Sequence, residues 1–424
     1  MGKNPLVQQE DSINKWILMV LVGLSFLIFV LASIFVDLGI NLGPDIQFFM
    51  GLLGIIIIFF AIYNISGFLL AGNGEKKVGF FGKYKGVKKA HNSRLLDRGP
   101  KIVVIGGGTG LAVLLRGLKK FTSNITAIVT VADDGGSSGR IREDLGMLPP
   151  GDIRNCILAL AEMEPTMEKL LQYRFPEGSL KGQNFGNLFI ASMNGISNSF
   201  EEAITKMSEV LAVTGRVYPV SLDDITLYAL LKNEKMVKGE SNIPIRALEE
   251  NSPVDRVFIK PRDAKGLDEA VQAINNADTV VLGPGSLYTS IIPNLLLDNI
   301  SEALAKTLAK KIYISNIMTQ PGETDNYGVL EHVEAIIRHC PNIGIDYVIA
   351  NTQDIINHAH SKYQEEGASL IPITERDKVA LKSKNIAIVE DKLVEIKKDY
   401  VRHDAIKLSK IIIGLASKRD DLLK

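Results

Sequence analysis

The sequence predicts an α/β protein, a mostly parallel sheet covered by helices on both faces and preceded by a two-helix transmembrane hairpin. Three observations carry this expectation. From Lys101 onward, apolar strand-like runs alternate with amphipathic helical stretches, the pattern of parallel strands joined by crossover helices. Two of those strands, near Ile102 and Thr279, run straight into glycine-containing turns. Near the N-terminus stand two long runs without a charged residue, Trp16–Val36 and Ile46–Leu70.

At about 1.5 Å per residue, each run is long enough to reach across a hydrocarbon core of roughly 30 Å. Only DLGINLGPD separates them, with Asp37 and Asp45 and no basic residue. The other flank carries Lys76, Lys77, Lys83, Lys85, Lys88, Lys89, Arg94 and Arg98. The positive-inside rule then predicts a multi-pass protein of the cell membrane with both termini and the main domain in the cytoplasm. The length of the first run, its lack of a cleavage site and the close second run argue against a removed signal peptide. The expected division is an anchor at 1–72, a basic juxtamembrane linker at 73–100 and a nucleotide-binding domain at 101–424. The linker either binds anionic lipid or only sets topology. Over the whole chain of 424 residues, 48 basic and 48 acidic side chains cancel, which argues against a nucleic-acid partner held by charge. Cys156 and Cys340 form no C-x-x-C pair and are expected as buried small hydrophobes.

Lys101–Leu118, KIVVIGGGTGLAVLLRGL, reads as a strand at Ile102–Ile105, a turn of Gly106, Gly107, Gly108, Thr109 and Gly110, and a helix. Leu111, Leu114, Leu115 and Leu118 have helical spacing. A backbone without Cβ atoms can approach a phosphate, and the helix start points unpaired N–H groups at it. Gly106 and Gly108 match the start of G-x-G-x-x-G, but Leu111 replaces its third glycine, so NAD is not the expected cofactor. No Gly-Lys-Ser/Thr completes a Walker loop. A second strand, Ile125–Val131, leads into Asp133 and Asp134. These would face a ribose, hold Mg²⁺ or form an Asx turn; in an enzyme of phosphoryl-ester transfer they would be the catalytic pair. Gly135–Gly139 fits G-x-S-x-G, but two aspartates separate Ser137 from the strand, so no nucleophile elbow is expected.

Asp152 is expected to cap a helix bearing Ile153, Cys156, Ile157 and Leu160, with Arg154 and Asn155 in the first turn, where groups that meet an anion are well placed. Asn184 and Asn187 stand at the next helix entry, as caps or ligand readers. Ser199 and Glu202 make a capping box. Thr214–Pro261 is expected as a smaller β-containing insertion. The strand Asp278–Leu282 then enters a second turn with Gly283, Gly285 and Ser286, and a helix ending near Pro293. Two such turns at carboxyl ends of one parallel sheet point to one crevice. Lys311–Ser315 is a further strand, followed by the polar loop Met318–Thr324. On a helix over Gly328–His339, His332 and His339 are assigned to packing. Tyr347–Ala350 is expected as the last core strand, and Asp404 as cap of a closing helix, with His403 a weaker site candidate.

Taken together, GGGTGLAVLLRGLK, TVADDGGSSGRIRED, PPGDIRNCILALAE, NFGNLFIAS, GPGSLYTSIIPNLL, NIMTQPGETD and VRHD resemble the YvcK-type gluconeogenesis factor family, within the CofD-like superfamily. The match covers Lys101 to about Leu415 and leaves the hairpin outside. The resemblance implies a three-layer α/β/α Rossmann-like core and a UDP-sugar ligand, UDP-N-acetylglucosamine in particular. It also implies a regulatory part in gluconeogenic growth, cell morphology and peptidoglycan supply through an unidentified envelope-synthesis or regulatory protein. A homo-oligomer is a further expectation. The alternative is Mg-dependent transfer of a 2-phospholactyl group from a nucleotide-linked donor, as in related CofD enzymes. By motif, Gly106 to Gly110 would contact phosphate, Asp133 and Asp134 would face ribose or metal, Arg154, Asn155, Asn184 and Asn187 would line the pocket, and Gly283, Gly285 and Ser286 would close it.

Overall fold

The computed structural model describes residues 18–30, 32, 43–69, 96–355, 363, 365–397 and 400–417. The chain divides into two compact units, Met1–Asn92 and Ser93–Lys424.

In the first unit, the helices Leu18–Val30 and Pro44–Leu69 approach each other at glycine. A Cβ on Gly23 would lie 2.9 Å from the Gly54 carbonyl oxygen, and one on Gly54 would lie 3.0 Å from that of Gly23. Small residues at such a crossing let two apolar helices pack without a side-chain spacer. Asp45–Ile62 has a mean hydropathy of 2.3, and its helix is the one among the described residues long and apolar enough to cross a membrane. The remainder of the first apolar run, most of the short turn and the linker through Leu95 lie outside the described residues.

Among the described residues, the second unit holds twelve strands: β1 (Ile102–Gly106), β2 (Ile125–Val129), β3 (Arg216–Pro219), β4 (Thr226–Leu231), β5 (Met236–Lys238), β6 (Val254–Lys260), β7 (Thr279–Leu282), β8 (Lys310–Ile314), β9 (Tyr347–Asn351), β10 (Ala387–Asp391), β11 (Val394–Lys397) and β12 (Tyr400–His403). Seven form one sheet in the order β10-β9-β8-β7-β1-β2-β3, and every neighbouring pair is parallel. β1 and β7 lie side by side at its centre, and every residue of both is buried. This explains their unbroken apolar runs, since helices cover both faces of the sheet. The connection reverses between β1 and β7, where a parallel sheet opens a crevice at its carboxyl edge.

Several boundaries differ from the sequence expectation. β2 stops at Val129, and Thr130 to Gly135 form the loop that follows. The expected insertion is the three-stranded antiparallel sheet β5-β4-β6, but its first strand-like run is β3, which pairs with β2 at the edge of the main sheet. The helix expected after Gly283 begins as a π-helical turn, Leu287–Ile291, and continues as Ile292–Leu295. β10 and the hairpin β11–β12 follow the strand expected to be last; their short, mixed sequences carry no buried apolar run. Asp404 does cap the closing helix Ala405–Ser417, accepting from the N–H groups of Ile406 and Lys407.

The helix Gly108–Leu118 lies against that closing helix at Gly117, whose missing side chain lets it approach. A Cβ there would collide with the Ala405 carbonyl and lie 2.5 Å from Ser409 Oγ. Backbone cannot yield as a side-chain tip can, so Gly117→Ala is expected to destabilise the unit by about 1–3 kcal/mol, read as a lower urea midpoint with an unchanged slope.

Candidate functional site in the crevice between two glycine turns

Gly107 is the N-cap of Gly108–Leu118 and offers no side-chain cap; the Gly108 N–H is met by the Asp152 carboxylate, and the N–H groups after it begin the helix at the crevice. The turn is tightly enclosed. A Cβ on Gly107 would lie 2.6 Å from both Asp152 Oδ2 and Thr130 Cγ2. Gly108 has φ +70°, the left-handed region that favours glycine. The second turn meets the first backbone to backbone: a Cβ on Gly110 would be 3.0 Å from the Pro284 carbonyl, one on Gly285 3.1 Å from that of Gly107, and one on Gly106 3.7 Å from Gly283 Cα. Thus the two turns expected to share a crevice do share it. Ser286 follows Gly285 at the entry to the π-helical turn.

Asp133 and Asp134, adjacent in sequence, take different tasks. Asp133 accepts the Gly135 N–H at 2.9 Å, an Asx turn, and lies on the crevice side beside Asp152. Asp134 turns away and accepts the N–H groups of Glu240 at 3.0 Å and Ser241 at 2.9 Å, binding the β2 loop to the β4–β6 insertion. They do not fit a paired cation site. Both oxygens of Asp134 are occupied by backbone donors, and among the described residues no three His, Cys, Asp or Glu side chains converge to hold a metal.

The helix expected to be capped by Asp152 begins at Gly151 with Pro150 as N-cap. Asp152 is its second residue, and its carboxylate faces the Gly108 N–H. Burial, then the neighbouring Asp133, push it up to about 6. Arg154 donates to Asn187 Oδ1 at 2.7 Å and Asn155 Oδ1 at 2.8 Å, while its buried Nε has no partner. Burial, then Arg174, lower its pKa to about 10, so it stays cationic at neutral pH.

Asn184 and Asn187 are both buried, and they build the wall behind Arg154. Asn184 caps the helix Phe185–Gly195 through the Asn187 N–H and donates to the Gln172 carbonyl. Asn187 donates to Ser137 Oγ. That hydroxyl also donates to Gln183 and accepts from the Asn184 N–H, so the serine of G-x-S-x-G is a buried joint of three hydrogen bonds.

Two acids that the sequence did not single out complete the surroundings. Burial, then Asp133, Glu323, Asp134 and Asp152 in that order, push Glu240 up to about 8. Burial pushes Glu323 up to about 7, against its bonds from Thr289 and the Tyr288 N–H. Only the polar, glycine-bearing loop after β8 hinted at Glu323. Nothing in the local pattern around Glu240 placed it near Asp133, because the insertion brings it there.

The family model described as 2-phospho-L-lactate transferase CofD matches residues 102–394. A protein from Clostridium acetobutylicum described as a putative gluconeogenesis factor is 57% identical over 323 residues, 76% of this chain and 71% of its own length. The gluconeogenesis factor of Bacillus subtilis is 45% identical over 317 residues, 74% of this chain and 98% of its own. A crystal structure of a upf0052 family member from Bacillus halodurans superposes with a TM-score of 0.70 at 46% identity, covering 73% of this chain and 98% of that one. The glycine turns, the Asp133 loop and the Arg154 helix all fall within these matches, and the chain belongs to the CofD-domain family of gluconeogenesis factors.

Proposed function

We propose that the crevice binds a nucleotide diphosphate sugar, UDP-N-acetylglucosamine in particular, and that the chain acts as a regulatory factor held at the cell membrane by its two N-terminal helices. The observation that carries the binding reading is the meeting of two glycine turns at an uncapped helix start, with a cationic Arg154 nearby that keeps one buried donor unpaired. A diphosphate supplies acceptors for the helix-start N–H groups beyond Gly108 and for the unpaired Arg154 donor. Asp133 stands in the loop after β2, on the side where a ribose is held in related sheets. The anchor reading rests on the Asp45–Ile62 span and on the large exposed side chains of Phe48, Phe49 and Phe59 around it. The basic linker then places the main unit in the cytoplasm.

Titration calorimetry on the full chain in detergent is expected to show UDP-N-acetylglucosamine binding that weakens tenfold or more on Arg154→Ala, the range for a hydrogen bond to a charged group. Absence of heat with any uridine nucleotide overturns this reading. A transferase is the second reading, favoured by the family model and by Asp152 and Glu240, whose raised pKa values suit proton transfer near neutral pH. It requires product from a nucleotide-linked phospholactyl donor and a deazaflavin acceptor above an Asp152→Ala control.

A further inference from the structure

At the edge of the main sheet opposite the crevice, one corner breaks the rule that the rest obeys. Parallel strands covered on both faces need apolar side chains on both. Partnered residues of parallel strands share a face, and alternate residues return to it. Lys101, Asn124, Thr126, Arg216 and Tyr218, near the amino ends of β1, β2 and β3, therefore lie on one face. None of these five is buried, whereas Ile102, Ile125 and Val217 on the other face are.

The helical layer leaves this corner open. Between it and the helix Asp268–Asn275 lies a cavity of about 800 Å³, lined on the helix side by Glu269, Gln272 and the C-cap Asn276. That volume falls within the roughly 300–1,000 Å³ of small-molecule sites. Part of the wall is fixed by bonds of its own. Asp97 accepts the Ser123 hydroxyl at 2.6 Å, and Asn124 Nδ2 donates to the carbonyls of Asp97 and Gly99 at 2.9 and 2.8 Å.

Lys101 and Arg216 differ from these. Both line the cavity and are exposed, and among the described residues neither side chain has an ion pair or a hydrogen bond. β1 and β3 stand two strand spacings apart, about 10 Å, so two long side chains rooted on them can close on one group between them. Two free cations, one of them a planar fork, fit a phosphate. The Glu269 carboxylate and the side-chain amides of Gln272 and Asn276 suit hydroxyls. This polar lining offers an apolar partner little to bury against.

We propose that this cavity is a second binding site, separate from the crevice, for a phosphate ester that carries hydroxyl groups. Arg216 and Lys101 hold the phosphate, and Glu269, Gln272 and Asn276 meet the hydroxyls. The inference stands apart from the nucleotide-sugar reading, because the cavity borders the amino ends of the strands and the crevice their carboxyl ends. A soluble sugar phosphate and the head group of phosphatidylglycerol share this chemistry.

The test is calorimetry on the full chain in detergent with glucose 6-phosphate, glucose and glycerophosphoglycerol, the water-soluble head group of phosphatidylglycerol. The melting temperature of each variant checks its folding. The wild type is expected to bind one of the two esters at least tenfold tighter than glucose; preference for glucose 6-phosphate marks a soluble ligand, and preference for glycerophosphoglycerol a lipid. Arg216→Gln and Lys101→Gln should each weaken the favoured ester tenfold or more. Arg216→Lys, which keeps the charge but not the fork, should weaken it less. Arg154→Ala, in the crevice, should leave it unchanged. If neither ester binds better than glucose, or if Arg216→Gln leaves the affinity as it was, the assignment fails and the crevice reading is untouched. If Arg154→Ala removes the binding and Arg216→Gln does not, the phosphate lies in the crevice and the second site falls.

Discussion

Asp134→Asn is expected to destabilise the second unit by about 2–3 kcal/mol, while Asp133→Asn should change its stability by less than about 0.5 kcal/mol. The two substitutions are chemically the same and one residue apart; what differs is the bonding of each carboxylate. Asp134 receives two backbone N–H groups from the insertion, one on each oxygen. An asparagine keeps one acceptor and turns an NH₂ toward the other N–H, leaving a donor facing a donor. There is no room to move aside. A Cβ on Gly139 would collide with the Asp134 carbonyl, and one on Gly239, at φ +97°, would lie 2.6 Å from its Oδ2. Asp133 uses one oxygen, for the Gly135 N–H, and an asparagine preserves that bond. Urea denaturation of the two variants measures the difference directly. Equal destabilisation by both would show that the carboxylates act as a pair. Ligand affinity should separate them too, since loss of the Asp134 tie frees Glu240 and the insertion, whereas Asp133→Asn removes one negative charge from the crevice.

The core of the fold was legible because buried parallel strands need unbroken apolar runs. The runs Ile102–Ile105, Ile125–Val131 and Asp278–Leu282 announced β1, β2 and β7, and the glycines after β1 and β7 announced the crevice. The periphery was not legible for the same reason. β10, β11 and β12 are only partly buried, so no apolar run marks them, yet β12 delivers Arg402 and His403 to a cavity beside Gly110 and Gly285. At the site, residue type was a better guide than role. Arg154 lies within electrostatic reach of Asp152 and Asp133, while Asn184 and Asn187 spend their bonds on a cap and on Ser137. Aspartate is common at caps, which makes Asp152 look like one; the turn at Pro150 starts the helix two residues earlier and leaves the carboxylate facing Gly108. Glu240 lies far along the chain from Asp133, and only the docking of the insertion makes them neighbours.

That acidic wall sets the pH response of binding, the second large effect expected. A UDP-sugar carries two negative charges on its diphosphate across the range from pH 5 to 9, so the protein's own carboxylates supply the change. Above about 8, Glu240 is ionised; below it, a proton removes the charge. Asp152 loses its charge below about 6. Each protonation withdraws a negative charge from beside a dianion, and affinity is expected to rise as pH falls through both values, by roughly three- to tenfold per group. Glu240→Gln should abolish the upper step and give the pH 7 affinity at pH 9; Asp152→Asn should abolish the lower one. Affinity that instead falls on acidification would mean that the ionised carboxylates accept hydrogen bonds from the ligand, as ribose hydroxyls would require. The ligand-free fold gives an independent check. A carboxyl whose folded pKa is raised binds its proton more tightly in the folded state, so its contribution to stability declines as pH rises from the ordinary carboxylate range toward about 8. Glu240→Gln is therefore expected to raise the melting temperature at pH 9 and leave it unchanged near pH 4. A melting temperature lowered at pH 9 would mark Glu240 as a structural anion, and would require the charge on this wall to be met by a donor of the protein itself.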